Sequence, residues 1–444
     1  MKRLCLSMFI ISIFLSNLNA EFYITVYNNN LALVKETKAI TLESGLTHYR
    51  FEPVPKMIDP TSVSLKTLTY RDNARILEQN YEYDLVNQSK LIEKYIGQNI
   101  DITTEDGKSV SGKLLTSSDN AIIQNDKGEV NIIYKDQIRD IRLAQLPEGL
   151  ILKPSLLWYL DVDKEGVQDI EISYLTGGMN WEAKYVAITD NDDKNLTIDG
   201  WVVLTNNSGT VYNDAKLKLV AGDINRVQPD IMQKEMVRFA SKAPTQDFQE
   251  ESFFEYHLYT LNRKTTLKNN EQKEITLFPT ANTEATKIYT YNPDRYKDVR
   301  VEMEFINSRQ SGLGIPLPKG IVRVYKKDSE NMLQFIGEDR IDHTPTNEKV
   351  RLFLGNTFDI VGEKNIVDKK RITDRSTEET VSIKLRNRKD EDISVTVVEN
   401  LWGEWFITES NFRYIKESVN RLVFNIDVPK DKETELIYTI RKKW

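Results

Sequence analysis

The sequence predicts an all-β protein of tandem, immunoglobulin-like β-sandwich domains with a small SH3/Sm-like β-barrel insert and few short helices. Short runs in which apolar and polar residues alternate recur along the whole chain, as expected for half-buried strands. Glycine, asparagine and proline cluster between these runs, where turns require them. Helical spacing is clear in one segment, and the stretch "PDIMQKEMVRF", 229–239, could form a further short helix.

The first twenty residues have the three-part pattern of a secretory signal peptide. Lys2 and Arg3 precede an apolar run, and a short polar stretch ends at Ala20. The apolar run is shorter than the roughly 20 residues that a membrane-spanning helix needs. We therefore expect cleavage between Ala20 and Glu21, export to the periplasm or cell envelope, and no transmembrane segment afterwards. An uncleaved anchor is the alternative.

The only cysteine, Cys5, lies inside this segment, so the mature chain is expected to contain none. That composition excludes thiol catalysis, thiolate zinc sites and iron–sulfur clusters from the mature protein. An exported protein without disulfides has to be stabilised by burial of its core.

The overall charge disfavours nucleic acid as a partner. The chain carries 67 acidic and 60 basic residues, a net charge of −7. Proteins that bind phosphate backbones need clustered lysine and arginine, whereas the charges here are spread along the sequence. We expect an ordinary solvated surface.

The N-terminal β region, 21–90, contains alternating runs at Phe22–Tyr27, Leu31–Ile40 and Ser62–Leu68, and it is expected to pair with later strands. Apolar residues then recur at helical spacing over Asn87–Ile96, and Gly97 follows as a natural stop. The spacing predicts one short helix here.

Residues 91–145 are predicted to form the small barrel insert. Five short strands are separated by turn signals at Asp106-Gly107 and Lys127-Gly128, and closure would remove exposed strand edges. Some Sm-like barrels bind RNA, but the acidic composition favours a structural insert or a protein-contact module.

Residues 150–290 are predicted to form a central sandwich, interrupted by a long polar loop, 223–252. Within it, Gly177-Gly178 could resemble a phosphate-binding loop. The apolar residues after the glycines fall at every second position, which indicates a strand and not a helix. The glycines are therefore interpreted as a bend between strands.

Residues 298–444 are predicted to form a C-terminal sandwich. Three alternating runs in the central and C-terminal regions, "WVVLTNNSG", "EMEFINSRQSG" and "SIKLRNRKDED", each reach an asparagine and then turn. Asparagine suits strand ends because its side chain bonds the backbone of its own turn. Such units are common in immunoglobulin-like sandwiches.

No catalytic, cofactor-binding or metal-binding residues are predicted. His48, His257 and His343 are far apart and lack a zinc-binding pattern. The sequence "DNDDKN", 190–195, could bind calcium weakly, but it lacks the glycine and glutamate of an EF-hand loop, so a hairpin loop is the better interpretation. Trp402 is the one candidate contact residue, whereas Trp405 is expected in the core.

The chain resembles a bacterial family of unknown function, domain of unknown function 4139. The resemblance spans most of the mature chain and rests on stretches that include "YNNNLALVKETKAITLESG", "SYLTGGMNWEAKYV", "GLGIPLPKGIVRVYKKD", "GEDRIDHTP" and "VSIKLRNRKDEDISVTVVENLWGEW". Trp402 stands where the resemblance would place a proline. The resemblance implies an exported, mostly β protein and supplies no catalytic residues. A distant similarity of the C-terminal part to the mucoidy inhibitor A family implies envelope or exopolysaccharide biology.

Two functions remain open at this point. The first is a non-enzymatic binding or scaffold protein of the envelope that acts through protein or glycan contacts. The alternative is a glycan-acting hydrolase, which requires two carboxyl groups about 5–9 Å apart across a groove. The sequence indicates no oligomeric state.

Overall fold

A computed structural model of the chain describes residues 20–116, 120–145, 147, 150–222, 248–253 and 256–443. The predicted signal peptide, apart from Ala20, lies outside these described residues, as does most of the predicted loop 223–252. The described chain is 67% strand and 3% helix, so the predicted all-β fold class is confirmed.

Ten strands and one helix make up the N-terminal region and the insert. They are β1 (Glu21–Tyr27), β2 (Leu31–Leu42), β3 (Gly45–Phe51), β4 (Ile58–Thr67), β5 (Ala74–Glu82), α1 (Gln88–Lys94), β6 (Asn99–Thr104), β7 (Ser109–Thr116), β8 (Ala121–Gln124), β9 (Val130–Ile133) and β10 (Ile138–Arg142). A 3₁₀ helix, Lys135–Gln137, joins the last two strands.

Nine strands follow in the central region. They are β11 (Ser155–Val162), β12 (Gly166–Thr176), β13 (Met179–Thr189), β14 (Asn195–Asn206), β15 (Tyr212–Ala221), β16 (Phe248–Phe253), β17 (Tyr256–Leu261), β18 (Thr265–Leu267) and β19 (Glu271–Tyr291). Because β16 begins at Phe248, the predicted loop end at 252 is placed too late.

Eleven strands complete the chain. They are β20 (Arg300–Ile306), β21 (Gly320–Lys327), β22 (Leu333–Ile341), β23 (Lys349–Asn356), β24 (Ile360–Thr373), β25 (Ser376–Asn387), β26 (Ile393–Asn400), β27 (Glu404–Ser410), β28 (Tyr414–Ser418), β29 (Arg421–Val428) and β30 (Glu433–Lys443).

An eight-stranded sheet with the order β16-β17-β15-β1-β2-β12-β4, and β18 beside β15, assembles distant parts of the chain. β1 pairs with β2 in an antiparallel hairpin and with β15 in parallel, with Ile24 opposite Leu217. The inner face of the eight-stranded sheet contributes to the largest hydrophobic core. The three-stranded sheet β3-β11-β5 and strands β13 and β14 contribute to the same core. Trp158 and Trp181 are almost fully buried in that core.

The ten-stranded sheet follows the order β22-β21-β13-β14-β19-β26-β29-β28, while β20 pairs with β19 and β23 pairs with β20. The long strand β19 contributes Ile275 and Phe278 to the larger core and Tyr289 and Tyr291 to a second core. The second core is closed by the four-stranded sheet β24-β25-β30-β27. Strands β20 and β23 lie in the predicted C-terminal range, 298–444, yet their buried residues belong to the larger core.

The predicted insert is a five-stranded sheet with the order β10-β6-β7-β8-β9 and its own small core. Among the described residues no pairing joins β9 to β10, so the predicted closure into a barrel is wrong. The 3₁₀ helix, Lys135–Gln137, turns the chain between these strands, and β10 pairs with β6 alone.

The predicted helix is confirmed as α1. Asn87 caps it by accepting a hydrogen bond from the Lys90 N–H at 3.0 Å. Gly97 follows with φ +88°, a conformation that glycine adopts without steric cost. Among the described residues no helix is long and apolar enough to cross a membrane.

The Gly177-Gly178 pair joins β12, in the eight-stranded sheet, to β13, in the ten-stranded sheet. Gly178 has φ +79°, and a Cβ atom there would lie 2.7 Å from the backbone of Ser208. The interpretation as a bend between strands is confirmed, and the bend is where the chain passes from one layer to the other.

Candidate binding surface

An open cleft of about 570 Å³ lies on the outward face of the eight-stranded sheet. It is formed by β1, β2, β15, β17 and the turn that follows β17. The lining residues are Tyr23, Ile24, Thr25, Leu33, Lys35, Lys216, Leu217, Lys218, Thr260, Leu261, Asn262, Arg263 and Lys264.

Strand alternation places these side chains. In β15, Leu217 points into the core, while its neighbours Lys216 and Lys218 point outward. In β1, Ile24 is buried and Tyr23 is exposed in the same way. The parallel pairing of β1 with β15 sets Tyr23 opposite Lys216. Two segments nearly 200 residues apart in sequence therefore share one outward face.

Every charged residue that lines the cleft is basic: Lys35, Lys216, Lys218, Arg263 and Lys264. Three carboxylates approach from outside the lining. Glu21 lies 3.1 Å from the Lys216 ammonium and 3.4 Å from that of Lys264. Glu171 lies 3.4 Å from the Lys35 Nζ, and Glu251 lies 3.8 Å from the Lys218 Nζ. Cations thus outnumber the carboxylates that neutralise them.

Tyr23, Lys216 and Glu21 form a connected group at one side of the cleft. The Lys216 ammonium donates to the Tyr23 hydroxyl at 2.9 Å and lies 4.4 Å from the centre of its ring. The Tyr23 hydroxyl donates to Glu21 at 3.1 Å. The hydrogen bond from Lys216 lowers the pKa of Glu21, and the bonds to Tyr23 and Glu21 raise the pKa of Lys216. Both groups are therefore charged at neutral pH.

Arg263 differs from the lysines of the cleft because it makes no ion pair with a residue that the structure describes. It is exposed in the turn between β17 and β18. A guanidinium presents five donors in a planar fork that matches a carboxylate. Arg263 and Lys218, whose carboxylate partner is distant at 3.8 Å, are the cations most available to an anionic ligand.

The residues of the predicted cleavage site lie beside this cleft. Ala20 is half-buried and precedes β1 directly, and Glu21 is the first residue of β1. Glu21 holds two of the cleft lysines through its carboxylate. Cleavage itself stays a prediction.

Trp402, the predicted contact residue, lies in the loop between β26 and β27 and is 79% exposed. It is not among the residues that line the cleft. Trp405 is buried in the second core, as expected, and its Nε1 donates to the Val419 carbonyl at 2.7 Å. The structure therefore separates the contact residue suggested by the sequence from the cleft.

His257, His343 and the acidic loop 190–195 take structural roles. His257 Nδ1 lies 2.7 Å from Glu250, and His343 Nδ1 accepts a bond from the Lys319 N–H. In the β13–β14 hairpin, Asp193 is buried and binds the ammonium groups of Lys287 and Lys326, each at 2.6 Å. Those lysines neutralise the carboxylate on which a calcium site would depend. Among the described residues no cluster of three acidic, histidine or cysteine side chains could hold a metal ion.

The carboxyl pair most relevant to the hydrolase alternative is Asp294 and Glu399. Glu399 is 1% exposed, and burial raises its pKa. Both carboxylates bind the Lys364 ammonium, at 2.8 and 2.6 Å, so this ammonium occupies the space where a glycosidic oxygen would have to lie. The pair binds a half-buried lysine, and a substrate has no access to Glu399.

The fold and cleft define an all-β, multi-sheet, sandwich-type protein with a cation-lined surface cleft. The chain matches no protein-family model, and it matches no curated protein either.

Sequence reasoning missed the cleft because its cations come from separate segments. The signals present were the outward lysines of "AKLKL", 215–219, and the basic pair of "NRK", 262–264. Neither has enough positive charge by itself to predict a binding site. Only the strand order brings them together.

Proposed function

We propose that the protein is a non-enzymatic binding protein of the bacterial envelope that recognises an acidic glycan through this cleft. One observation carries the proposal. The chain has a net charge of −7, yet the residues that line the cleft on the eight-stranded sheet include five cations and no anion. Carboxylates are natural partners for such groups.

The rest of the lining supports a sugar as the body of the ligand. Leu33 supplies a half-buried apolar side chain, and Tyr23 adds an exposed aromatic side chain at the edge. Apolar surface packs against the C–H faces of sugar rings, while the few polar groups fix orientation. The cleft is open at the surface, so it admits part of a polymer chain.

Export supports an envelope ligand. The predicted signal peptide and the resemblance to an exported family both point outside the cytoplasm. The distant similarity to the mucoidy inhibitor A family favours a polysaccharide context.

The test compares binding of carboxylated and neutral oligosaccharides by isothermal titration calorimetry. We expect oligogalacturonate to bind and a neutral galactose oligomer of equal length to bind at least about tenfold more weakly. Binding of oligogalacturonate should weaken as salt rises, because the cations of the cleft are exposed. The recovered oligosaccharide should be uncleaved.

The variant K218A/R263A should weaken oligogalacturonate binding at least about tenfold. The matched control is K184A, since Lys184 is also a lysine on an outward strand face, paired with Glu182, but lies in the other large sheet. Equal affinity for both sugars, or equal loss in K184A, would contradict the proposal.

A further inference from the structure

The five-stranded sheet ends in an edge strand, β9, that carries no charge. Its sequence is Val-Asn-Ile-Ile, and it pairs with β8 on one side. No strand in the described part of the chain pairs with its other side. An unpaired edge exposes a row of backbone N–H and C=O groups that can pair with another chain.

The other strands that end the main sheet orders are protected by charge. The terminal strands of the five sheet orders, apart from β9, each contain at least one charged residue, as in β16, β4, β10, β3, β5, β22, β28, β24 and β27. Charged side chains on an edge oppose pairing with a second strand. β9 lacks this protection.

An apolar row follows the same edge. Val130, Ile132 and Tyr134 alternate along the chain and are 54%, 59% and 56% exposed. Tyr134 keeps an extended backbone, with φ −68° and ψ 139°, so the row continues past the last paired residue. A contiguous row of exposed apolar side chains marks an interaction surface.

The backbone of β9 is oriented for pairing. The Asn125 N–H donates to the Glu129 carbonyl at the start of the β8–β9 hairpin. Hydrogen-bonded and non-hydrogen-bonded pairs alternate along an antiparallel ladder. The N–H and C=O groups of Val130 and Ile132 therefore point away from β8, toward the free edge.

We propose that β9 pairs antiparallel with β9 of a second copy of this chain, centred on Ile132. This register places Val130 opposite Tyr134 of the second copy, and Ile132 opposite Ile132. Because Tyr134 is extended, the residue after it, Lys135 at the start of the 3₁₀ helix, comes opposite Glu129, and the twofold axis repeats that ion pair. Both residues are exposed in the single chain. The strand is thus self-complementary in shape and in charge.

The contact is short, so the dimer is weak. An edge of about five residues buries less than the roughly 1,200 Å² typical of stable complexes. We expect a concentration-dependent dimer with a dissociation constant in the range of tens of micromolar. The five-stranded sheets of two copies join into one continuous sheet.

Sedimentation velocity of the full chain tests the pairing. E129K alone and K135E alone place like charges opposite each other and should each weaken the dimer at least about tenfold. The double variant E129K/K135E restores opposite charges and should regain dimerisation. Recovery in the double variant cannot arise from a folding defect, which circular dichroism of each variant also monitors.

I132K should give a monomer, because it adds charge at the centre of the edge. The matched control is V367K, since Val367 is an equally exposed apolar residue, 66% exposed, on the charged edge strand β24. A monomer at concentrations up to about 100 μM would overturn the proposal. A dimer whose dissociation constant is unchanged by the single charge reversals would also overturn it. Closed oligomers larger than a dimer would overturn it too, because they would indicate pairing of β9 with β10.

Discussion

Single asparagines hold the ends of strands in this protein. Asn387 is fully buried, and its Nδ2 donates toward the carbonyls of Glu391, Val428 and Pro429 at 2.8–3.2 Å. Asn206 and Asn307 are buried in the same way, each with its Nδ2 near three backbone carbonyls. Each amide thus links the end of its own strand to the backbone carbonyls of neighbouring segments.

Replacing this donor should be costly. N387D keeps the shape of the side chain but removes the donor and sets a carboxylate against carbonyl oxygens. We expect a loss of about 3 kcal/mol or more in the free energy of unfolding, measured with urea. The control is N425D: Asn425 is exposed and accepts a bond from Thr396, which aspartate can also accept. Equal stability of N387D and N425D would contradict this role.

The strand ends at Asn206, Asn307 and Asn387 show what a sequence can predict at the scale of residues. Each strand end was visible as a strand, an asparagine and a turn, because the turn is local and the residue preference has a local cause. The basic residues of the cleft could not be recognised as a set. Lys35, Lys216 and Arg263 belong to different elements, and their proximity follows only from the order of strands.

At the scale of elements, the bend at Gly178 decides how two layers connect. Gly178 has a positive φ, and a Cβ atom at this position would lie 2.7 Å from the backbone of Ser208. The Gly178 N–H donates a hydrogen bond to the Asn30 side chain at 3.0 Å. A side chain would have to move the Ser208 segment, which leads into β15 and hence toward the cleft.

We expect G178A to lower the free energy of unfolding by about 2 kcal/mol or more, since steric overlap adds to the unfavourable backbone conformation. The control is G45A, because Gly45 has a similar φ of +86° but open space around its Cβ position. G45A should lose about 1 kcal/mol from the backbone alone. Urea unfolding that shows equal losses in both variants would refute the steric contribution.

Element prediction succeeded where cause and effect were close in sequence. Asn87 predicts the start of α1, and the turn at Lys127-Gly128 predicts the β8–β9 hairpin. Closure of the insert was predicted from the number of strands, but closure depends on whether β9 and β10 meet. A three-residue 3₁₀ helix between them settles that, and nothing in the strand pattern indicates it.

At the scale of the whole molecule, the chain crosses between layers repeatedly. β1 pairs with β15, and β13 pairs in parallel with β21, so neighbouring strands are often more than 100 residues apart. Alternation predicts that a segment is a strand and which residues face inward, but many pairings satisfy the same pattern. The fold class was therefore predictable, whereas the sheet orders and the cleft they build were not.

The most direct test of the proposed function is a crystal structure of the protein with oligogalacturonate. We predict sugar carboxylates within hydrogen-bond distance of the Lys218 ammonium and the Arg263 guanidinium, with a sugar ring against Leu33 and Tyr23. A sugar bound instead against Trp402, with the cleft empty, would contradict the proposal.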